Sequence, residues 1–173
     1  GEQLHEKFSN SKTTRIIDVR NQKYFNKSKA NNIGAGFAKH ELLFFCDCDI
    51  ILETATLQEA IRVFSTKPRV FLTMAGVKET ETNARNAGNV SCFGYELFIR
   101  LQNGRELKIR DNEEDAEDGT RQAPGLLFVK KEHFEEVTGY NGRLHGWGWE
   151  DQDMIARLTL SAGLTRIESG DAL

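Results

Sequence analysis

The stretch LLFFCDCD, residues 42–49, is the clearest indicator of the fold in this chain of 173 residues. It opens with an uninterrupted apolar run and ends with the aspartates Asp47 and Asp49. A short apolar run of this kind is typical of a central strand covered on both faces, and strand alternation places the two carboxylates on one side. Ligands of open α/β sheets bind beyond the carboxyl ends of strands, so the pair is a candidate cation site. The alternative is a turn that simply ends the strand.

Helices and strands are predicted to alternate on both sides of this stretch. Helical patterns follow the capping residues Asn26 and Thr56, the first continuing to Ala38. Apolar strand patterns lie at residues 14–19, 69–74 and 125–129. This alternation predicts an α/β fold with a mostly parallel, Rossmann-like sheet. The length fits a single domain over residues 1–173.

The pattern changes between residues 90 and 110, where two extended runs flank Asn103 and Gly104. Asn-Gly between extended runs is a strong signal for a two-residue hairpin, so an antiparallel ribbon is predicted as an insertion. The acidic run at 111–118 is expected to be a solvated loop rather than a metal site. A mainly apolar helix is then predicted from Glu150 to near Gly163.

The composition excludes several classes of function. The net charge of -3 and the pI near 5.9 come from interspersed charges, so no basic face is expected to bind nucleic acid. No run approaches the roughly 18 apolar residues of a membrane span. Three cysteines cannot all pair, which favours a reducing compartment. We therefore expect a cytoplasmic protein without a membrane span, with peripheral contact to the inner face of the membrane as a further option.

The run GWGWEDQD, residues 146–153, carries the strongest chemical pattern. Its acids fall at the start of a predicted helix, where free amides and the helix dipole favour negative charge. Helix capping explains the acids, but it does not explain Trp147 and Trp149 between glycines. Flat aromatic rings that pack on the face of a sugar are one explanation for such indoles. The run therefore indicates carbohydrate binding.

Three blocks in order resemble the signature of β1,4-galactosyltransferases: FNKSKANNIG at 25–34, FCDCD at 45–49 and GWGWEDQD at 146–153. The order also resembles bacterial family 2 glycosyltransferases with a galactosyltransferase-like C-terminal segment, including chondroitin-type polymerases, and this group is the preferred match. The resemblance implies a GT-A fold and a metal-dependent, inverting enzyme of polysaccharide synthesis. Its implied donor is a UDP-sugar of the Gal, GalNAc or GlcNAc type, and its implied acceptor is a carbohydrate.

The resemblance also implies the donor half of a site. Asp49 corresponds to the direct ligand of Mn²⁺ or Mg²⁺, and Asp47 lies toward the metal or the ribose. Residues implied to contact the nucleotide sugar are Phe25, Lys27, Asn31 and Gly125. Lys27 replaces an arginine of the family, which keeps the charge but loses the planar fork. For Gly125, an ordinary strand start is an equally open interpretation.

The acceptor half is implied by the tryptophan-rich run. Asp151 corresponds to the catalytic base that removes the proton of the attacking hydroxyl. Glu150, Trp147 and Trp149 correspond to contacts with the acceptor sugar. Of the four histidines, His145 lies nearest this run, and a solvent-facing loop position is the favoured interpretation.

Several departures from the family leave an alternative open. No strand and helix precede residues 14–20 as the first nucleotide-binding unit, and no histidine follows His145 as a third metal ligand. The chain is therefore expected to be truncated at both ends. Residues 52–122 have no counterpart in the animal enzymes. The alternative is a noncatalytic nucleotide-sugar- or sugar-binding module of a larger polysaccharide-synthesising protein. A calcium-binding domain is disfavoured, because the acidic run lacks the ligand spacing of a calcium-binding loop.

Overall fold

A computed structural model of the chain describes residues 2–78, 94–112, 120–146 and 148–172. The helices are α1 (Glu2–Phe8), α2 (Lys27–Phe37), α3 (Thr54–Thr66), α4 (Lys131–Glu136) and α5 (Glu150–Ala156), which continues as a π-helical segment (Arg157–Ser161). The strands are β1 (Leu42–Phe45), β2 (Val70–Lys78), β3 (Gly94–Arg100), β4 (Glu106–Asn112), β5 (Thr120–Lys130) and β6 (Thr165–Ala172).

The main sheet has the strand order β1-β5-β2-β6. Strands β1, β2 and β6 run in one direction, and β5 lies antiparallel between β1 and β2. The expected mostly parallel sheet is therefore correct for the direction of most strands but wrong for most pairings. Both antiparallel pairings involve β5, whereas β2 and β6 pair in parallel. The sheet is mixed.

Strands β3 and β4 form a separate two-stranded antiparallel sheet. Gly104, in the turn between them, has a φ of +83°, a conformation that a residue without a side chain adopts at little cost. The ribbon packs on the rest of the fold through the buried Leu107 and Ile109. Arg105 also donates a hydrogen bond to the carbonyl of Leu160 in the π-helical segment. The ribbon is thereby fixed to the end of α5.

Apolar residues cover the main sheet on both faces. On one face, the sheet packs with α2, α4 and α5; buried residues there include Phe71, Val129, Phe134, Met154, Ile155 and Leu158. On the other face, it packs with α3; buried residues there include Ala60, Val63, Leu72, Met74 and Phe128. Burial on both faces explains the unbroken apolar runs of β2 and β5.

The strand predicted at residues 14–19 is wrong, since this segment has irregular backbone and is partly exposed. β-Branched residues favour a strand only where a partner strand is available, and no described strand pairs with this segment. The helix predicted after Thr56 begins at Thr54 instead. Strand β6 was not predicted, because its sequence TRIESGDA is largely polar and lacks a clear two-residue alternation.

Some sequence features fall outside the described residues. These are most of the acidic run at 111–118 and Trp147. Within the described ranges, every helix is too short or too polar to cross a lipid bilayer.

Candidate active site

Lys27 lies at the centre of a cluster of carboxylates. Its Nζ atom is 3.0 Å from Oδ1 of Asp47, 3.6 Å from Oδ2 of Asp151 and 3.7 Å from Oε1 of Glu150. These residues come from the start of α2, the end of β1 and the start of α5. The Lys27 side chain is 21% exposed and that of Glu150 only 10%. One ammonium group therefore joins three elements that are far apart in sequence.

The first turn of α2 is fixed by hydrogen bonds at both of its edges. The side-chain carbonyl of Asn26 accepts from the backbone N–H of Lys29 at 2.7 Å, which confirms the predicted N-cap. The amide of Asn26 donates to the carbonyl of Gly142 at 2.9 Å. The carbonyl of Phe25 accepts from the N–H of Gly146, also at 2.9 Å. The start of α2 is therefore bonded to the segment that leads into α5.

One turn further along α2, Asn32 binds the backbone of Tyr140. Its Oδ1 accepts from the N–H of Tyr140 at 2.7 Å, and its Nδ2 donates to the carbonyl of the same residue at 2.8 Å. Gly139 has a φ of +68°, and a Cβ there would lie 2.6 Å from Oδ1 of Asn32. We call these two hydrogen bonds the Asn32 clasp. The clasp could not be predicted, because an asparagine inside a helix gives no sign of its distant partner.

The entry into α5 has an unusual backbone. Trp149, which precedes the helix, has φ +70° and ψ -20°, a left-handed conformation that non-glycine residues rarely adopt. Gly146 and Gly148 also have positive φ values, which glycine tolerates. The Trp149 side chain is 65% exposed. Strained backbone of this kind is often found at functional sites.

Arg157 ties α5 to the end of α4. Its guanidinium pairs with Oδ2 of Asp153 at 2.6 Å and donates to the carbonyls of Val137 and Gly139, each at 2.6 Å. Asp153 is thus engaged in a structural ion pair, although it belongs to the same acidic run as Glu150. Within the acidic run at the start of α5, Glu150 and Asp151 face Lys27, whereas Asp153 pairs with Arg157 and stabilises the helix.

Gly125 lies within β5, directly against this cluster. A Cβ at this position would come within 2.7 Å of Oδ2 of Asp151 and 3.2 Å of Nζ of Lys27. Strand β5 begins at Thr120, so Gly125 is not simply the start of a strand. Only a residue without a side chain fits here unless the charged groups move.

The environment shifts the pKa values of the charged groups. Burial raises the pKa of Asp151 to about 6; Lys27 opposes the rise, whereas Glu150 and Asp47 add to it. For Lys27, burial lowers the pKa, but the carboxylates of Asp151, Asp47 and Glu150 outweigh burial and leave it raised. The pKa of Asp151 therefore lies close to neutrality, whereas Lys27 keeps its charge.

The remaining predicted residues lie around this cluster. Asp49 is exposed in the turn after β1, and no group of three or more potential metal ligands is found in the described part of the chain. Phe25 is 64% exposed beside Gly146. Asn31 lines a groove of about 710 Å³ between residues 11–17, α2 and β1. This groove reaches Cys46, the residue before Asp47.

Two family sequence models match the chain. The model of glycosyl transferase family 2 matches residues 2–137, which is more than half of the chain. The chain belongs to glycosyltransferase family 2. The model described as the N-terminal domain of galactosyltransferase matches residues 115–170 of this glycosyltransferase, a range that includes Glu150 and Asp151. A search of curated proteins finds no match.

The family assignment confirms the resemblance to a family 2 enzyme of galactosyltransferase type. It identifies the protein as a glycosyltransferase that uses a nucleotide-sugar donor and an acceptor substrate. The mixed α/β sheet is consistent with the GT-A fold. The two matches together span both halves of the cluster, from Lys27 to Asp151.

Proposed function

We propose that this glycosyltransferase moves a sugar of the Gal, GalNAc or GlcNAc type from a UDP-sugar to a carbohydrate hydroxyl, with inversion at the anomeric carbon. The observation that carries the proposal is the convergence of Lys27, Asp47, Glu150 and Asp151 around Gly125. Lys27 offers a positive charge to an anionic donor, Asp151 offers a carboxylate for proton transfer, and Gly125 leaves room beside them for a substrate. Polysaccharide synthesis is the proposed context.

Asp151 is the proposed general base. Its pKa of about 6 leaves it ionised at neutral pH yet basic enough to accept a proton efficiently. Attack by the acceptor hydroxyl forms the new glycosidic bond as the bond from the anomeric carbon to UDP breaks, and the hydroxyl proton passes to Asp151. Attack opposite the leaving group inverts the anomeric configuration.

The donor is proposed to lie along Lys27 and Gly125. The ammonium of Lys27 suits a phosphate as a point charge, and the close approach at Gly125 lets the donor sugar lie beside Asp151. The groove lined by Asn31 ends at Cys46, so a nucleotide within it brings its diphosphate toward Asp47. Stacking of the base on Phe25 is also proposed, because this side chain is 64% exposed.

A divalent cation is proposed to bind at Asp49 and Asp47. Mg²⁺ is commonly held by one or two carboxylates together with substrate phosphates, so two exposed carboxylates after β1 suit Mn²⁺ or Mg²⁺ without a third protein ligand. When bound, the cation supplies positive charge that stabilises the departing diphosphate. Asp49 is the better candidate for direct ligation, because Asp47 already pairs with Lys27.

The acceptor is proposed to bind at the start of α5. Trp149 presents an exposed indole, and an aromatic ring offers a large apolar face to the carbon side of a sugar. Trp147 has the same proposed role from its position in the sequence. Glu150 is mostly buried beside Asp151, where its carboxylate can accept a hydrogen bond from an acceptor hydroxyl. These contacts place the attacking hydroxyl near Asp151.

The test is release of UDP from a panel of UDP-sugars, with and without Mn²⁺ and with and without acceptor oligosaccharides. We expect release that requires both an acceptor and the cation, and a product of inverted configuration by NMR. Donor binding by calorimetry without any release would instead support the noncatalytic binding module. Retained configuration would refute Asp151 as the base of a direct displacement.

A further inference from the structure

Six buried side-chain polar atoms have no hydrogen-bond partner in the described part of the chain. They include Oγ of Ser28, Nδ2 of Asn31, the hydroxyl of Tyr140 and Oδ1 of Asp151. Ser28 and Asn31 lie one turn apart on α2, Tyr140 lies in the segment clasped by Asn32, and Asp151 lies on α5. Buried polar groups are nearly always satisfied, so this group calls for an explanation.

Tyr140 is held more firmly than the other members. Asn32 binds both backbone groups of Tyr140, at 2.7 and 2.8 Å. Its ring packs edge-on against Phe45, with centroids 5.1 Å apart, and lies 6.0 Å from the ring of Phe134. The residue is only 2% exposed. The hydroxyl is therefore fixed in position and shielded from bulk water.

The surroundings of the hydroxyl point toward Asp151. Burial raises the pKa of Tyr140 well above its ordinary value, and the carboxylate of Asp151 is the largest charged contributor to that rise. The amide of Asn31 lies beside the hydroxyl and opposes part of the rise, although the pair lacks good hydrogen-bond geometry. A phenol can donate one hydrogen bond, and an ionised carboxylate only accepts. The unpartnered hydroxyl and Oδ1 are complementary.

The two oxygens of Asp151 have different environments. Oδ2 is 3.6 Å from Nζ of Lys27 and is the atom that a Cβ at Gly125 would touch. Oδ1 is buried on the other side and faces no charged partner among the described contacts. The charged groups around this carboxylate are Lys27 from α2, Asp47 after β1 and Glu150 on α5. A donor at Oδ1 would fix the carboxylate without competing with Lys27.

We propose that Tyr140 is a positioning residue for Asp151: its hydroxyl donates a hydrogen bond to one bridging water, which in turn donates to Oδ1, so that Oδ2 faces the acceptor. The proposal rests on the function of Asp151 as the base. The amide of Asn31 is a further donor beside the same hydroxyl. Tyr140 acts on the reaction through Asp151.

The kinetic test is Tyr140→Phe, which keeps the packed ring and removes the hydroxyl. We expect kcat to fall about tenfold, the effect of losing one hydrogen bond to a charged group, with the KM for the donor nearly unchanged. The acidic limb of kcat/KM moves to higher pH, because a carboxylate that loses a donor is harder to ionise. Wild-type kcat together with an unmoved acidic limb would overturn the proposal.

The matched control is Thr159→Val in the π-helical segment. Thr159 Oγ1 is also buried without a partner, but it lies beside the β4 ribbon rather than the carboxylate cluster. We expect its removal to leave kcat and the pH profile unchanged. Thermal unfolding of both variants checks that each remains folded. An equal change of the pH profile in both variants would indicate a general effect of losing a buried hydroxyl and would overturn the assignment to Tyr140.

A second measurement separates this proposal from the proposed function. The carboxyl pKa of Asp151 is followed by NMR in substrate-free protein with ¹³C-labelled aspartate, with Asp151→Asn for assignment. We expect a higher pKa in Tyr140→Phe than in the wild type. An unchanged pKa would overturn the hydrogen bond even in an active enzyme. If the Asp151 pKa rose in Tyr140→Phe but the wild-type protein transferred no sugar, the hydrogen bond would be supported and the role of Asp151 as the base would be refuted.

Discussion

The junction of α2 with α5 and the turn after β1 both carry acidic residues, but they differ in how those residues are held. At the junction, Glu150 and Asp151 are largely buried, and the clasp of Asn32 fixes the adjoining backbone. After β1, Asp47 and Asp49 are exposed, and Lys27 is the described ion-pair partner of Asp47. The difference suits the proposed roles of the two regions: a base needs one fixed orientation, whereas the proposed cation site would be completed by its substrate.

The largest expected effect lies at the buried junction. Asp151→Asn keeps the size of the side chain but removes its basicity, so kcat should fall by about 10²- to 10⁴-fold, the usual contribution of a general base. Donor binding measured by calorimetry should remain nearly intact, because Lys27 and Gly125, rather than the charge of Asp151, make the proposed donor contacts. Glu132→Gln, on the exposed side of α4, is the control and should retain turnover. Near-normal turnover of Asp151→Asn would remove the base assignment.

Gly125→Ala tests the close approach between β5 and the same carboxylate. The added Cβ would lie 2.7 Å from Oδ2 of Asp151, so the side chains of Asp151 and Lys27 must shift while the backbone stays in place. A displaced base should lower kcat by about 10²-fold, without a large loss of stability.

The control for that substitution is Gly36→Ala on α2, where a Cβ meets open space. It should leave turnover unchanged and slightly raise the melting temperature, since alanine favours a helix. If Gly125→Ala also turned over normally, the space at Gly125 would have no role in the reaction.

A third test separates stability from chemistry. Arg157→Met should lower the free energy of unfolding by about 2–3 kcal/mol, because it leaves the carboxylate of Asp153 and two carbonyls without their partner. Urea unfolding measures the change. Arg62→Met removes an ion pair with Glu59 that is fully exposed, and it should have little effect. Equal losses in both variants would contradict the bridging role of Arg157.

The last test is a pH dependence. The pKa of Asp151 is raised from 3.8 to about 6, so kcat/KM should rise with pH through about 6 and then level off as the base ionises. The raised pKa also means that folding favours the protonated form. The wild type should therefore lose stability relative to Asp151→Asn as the pH rises from about 4 to about 6. Parallel stability curves would show that the pKa is not raised.

Local patterns in the sequence predicted the elements that carry the site. The Asn26 cap, the apolar strand before Asp47 and the helix that begins at Glu150 are each encoded by adjacent residues. The direction of β5 and the existence of β6 depend on pairings across the sheet, which a single sequence does not display. Local signals therefore predicted the helices and the strand that carry the active site, but not how these elements pack against one another.

The contacts that join these elements are between residues far apart in sequence. Asn32 is separated from Tyr140 by 108 positions, and neither residue stands out by type. The position of Lys27 among three carboxylates could likewise not be predicted, because it depends on the packing of α2 against α5.

The arrangement around Lys27 also has a consequence for charge balance. One positive group faces three negative ones, so the cluster keeps a surplus of negative charge when Asp151 is ionised. A diphosphate that enters alone adds to that surplus and is repelled, whereas one that arrives with a divalent countercation nearly cancels its own charge. Electroneutrality therefore favours entry of the proposed donor and the proposed cation as a single ion pair rather than one after the other.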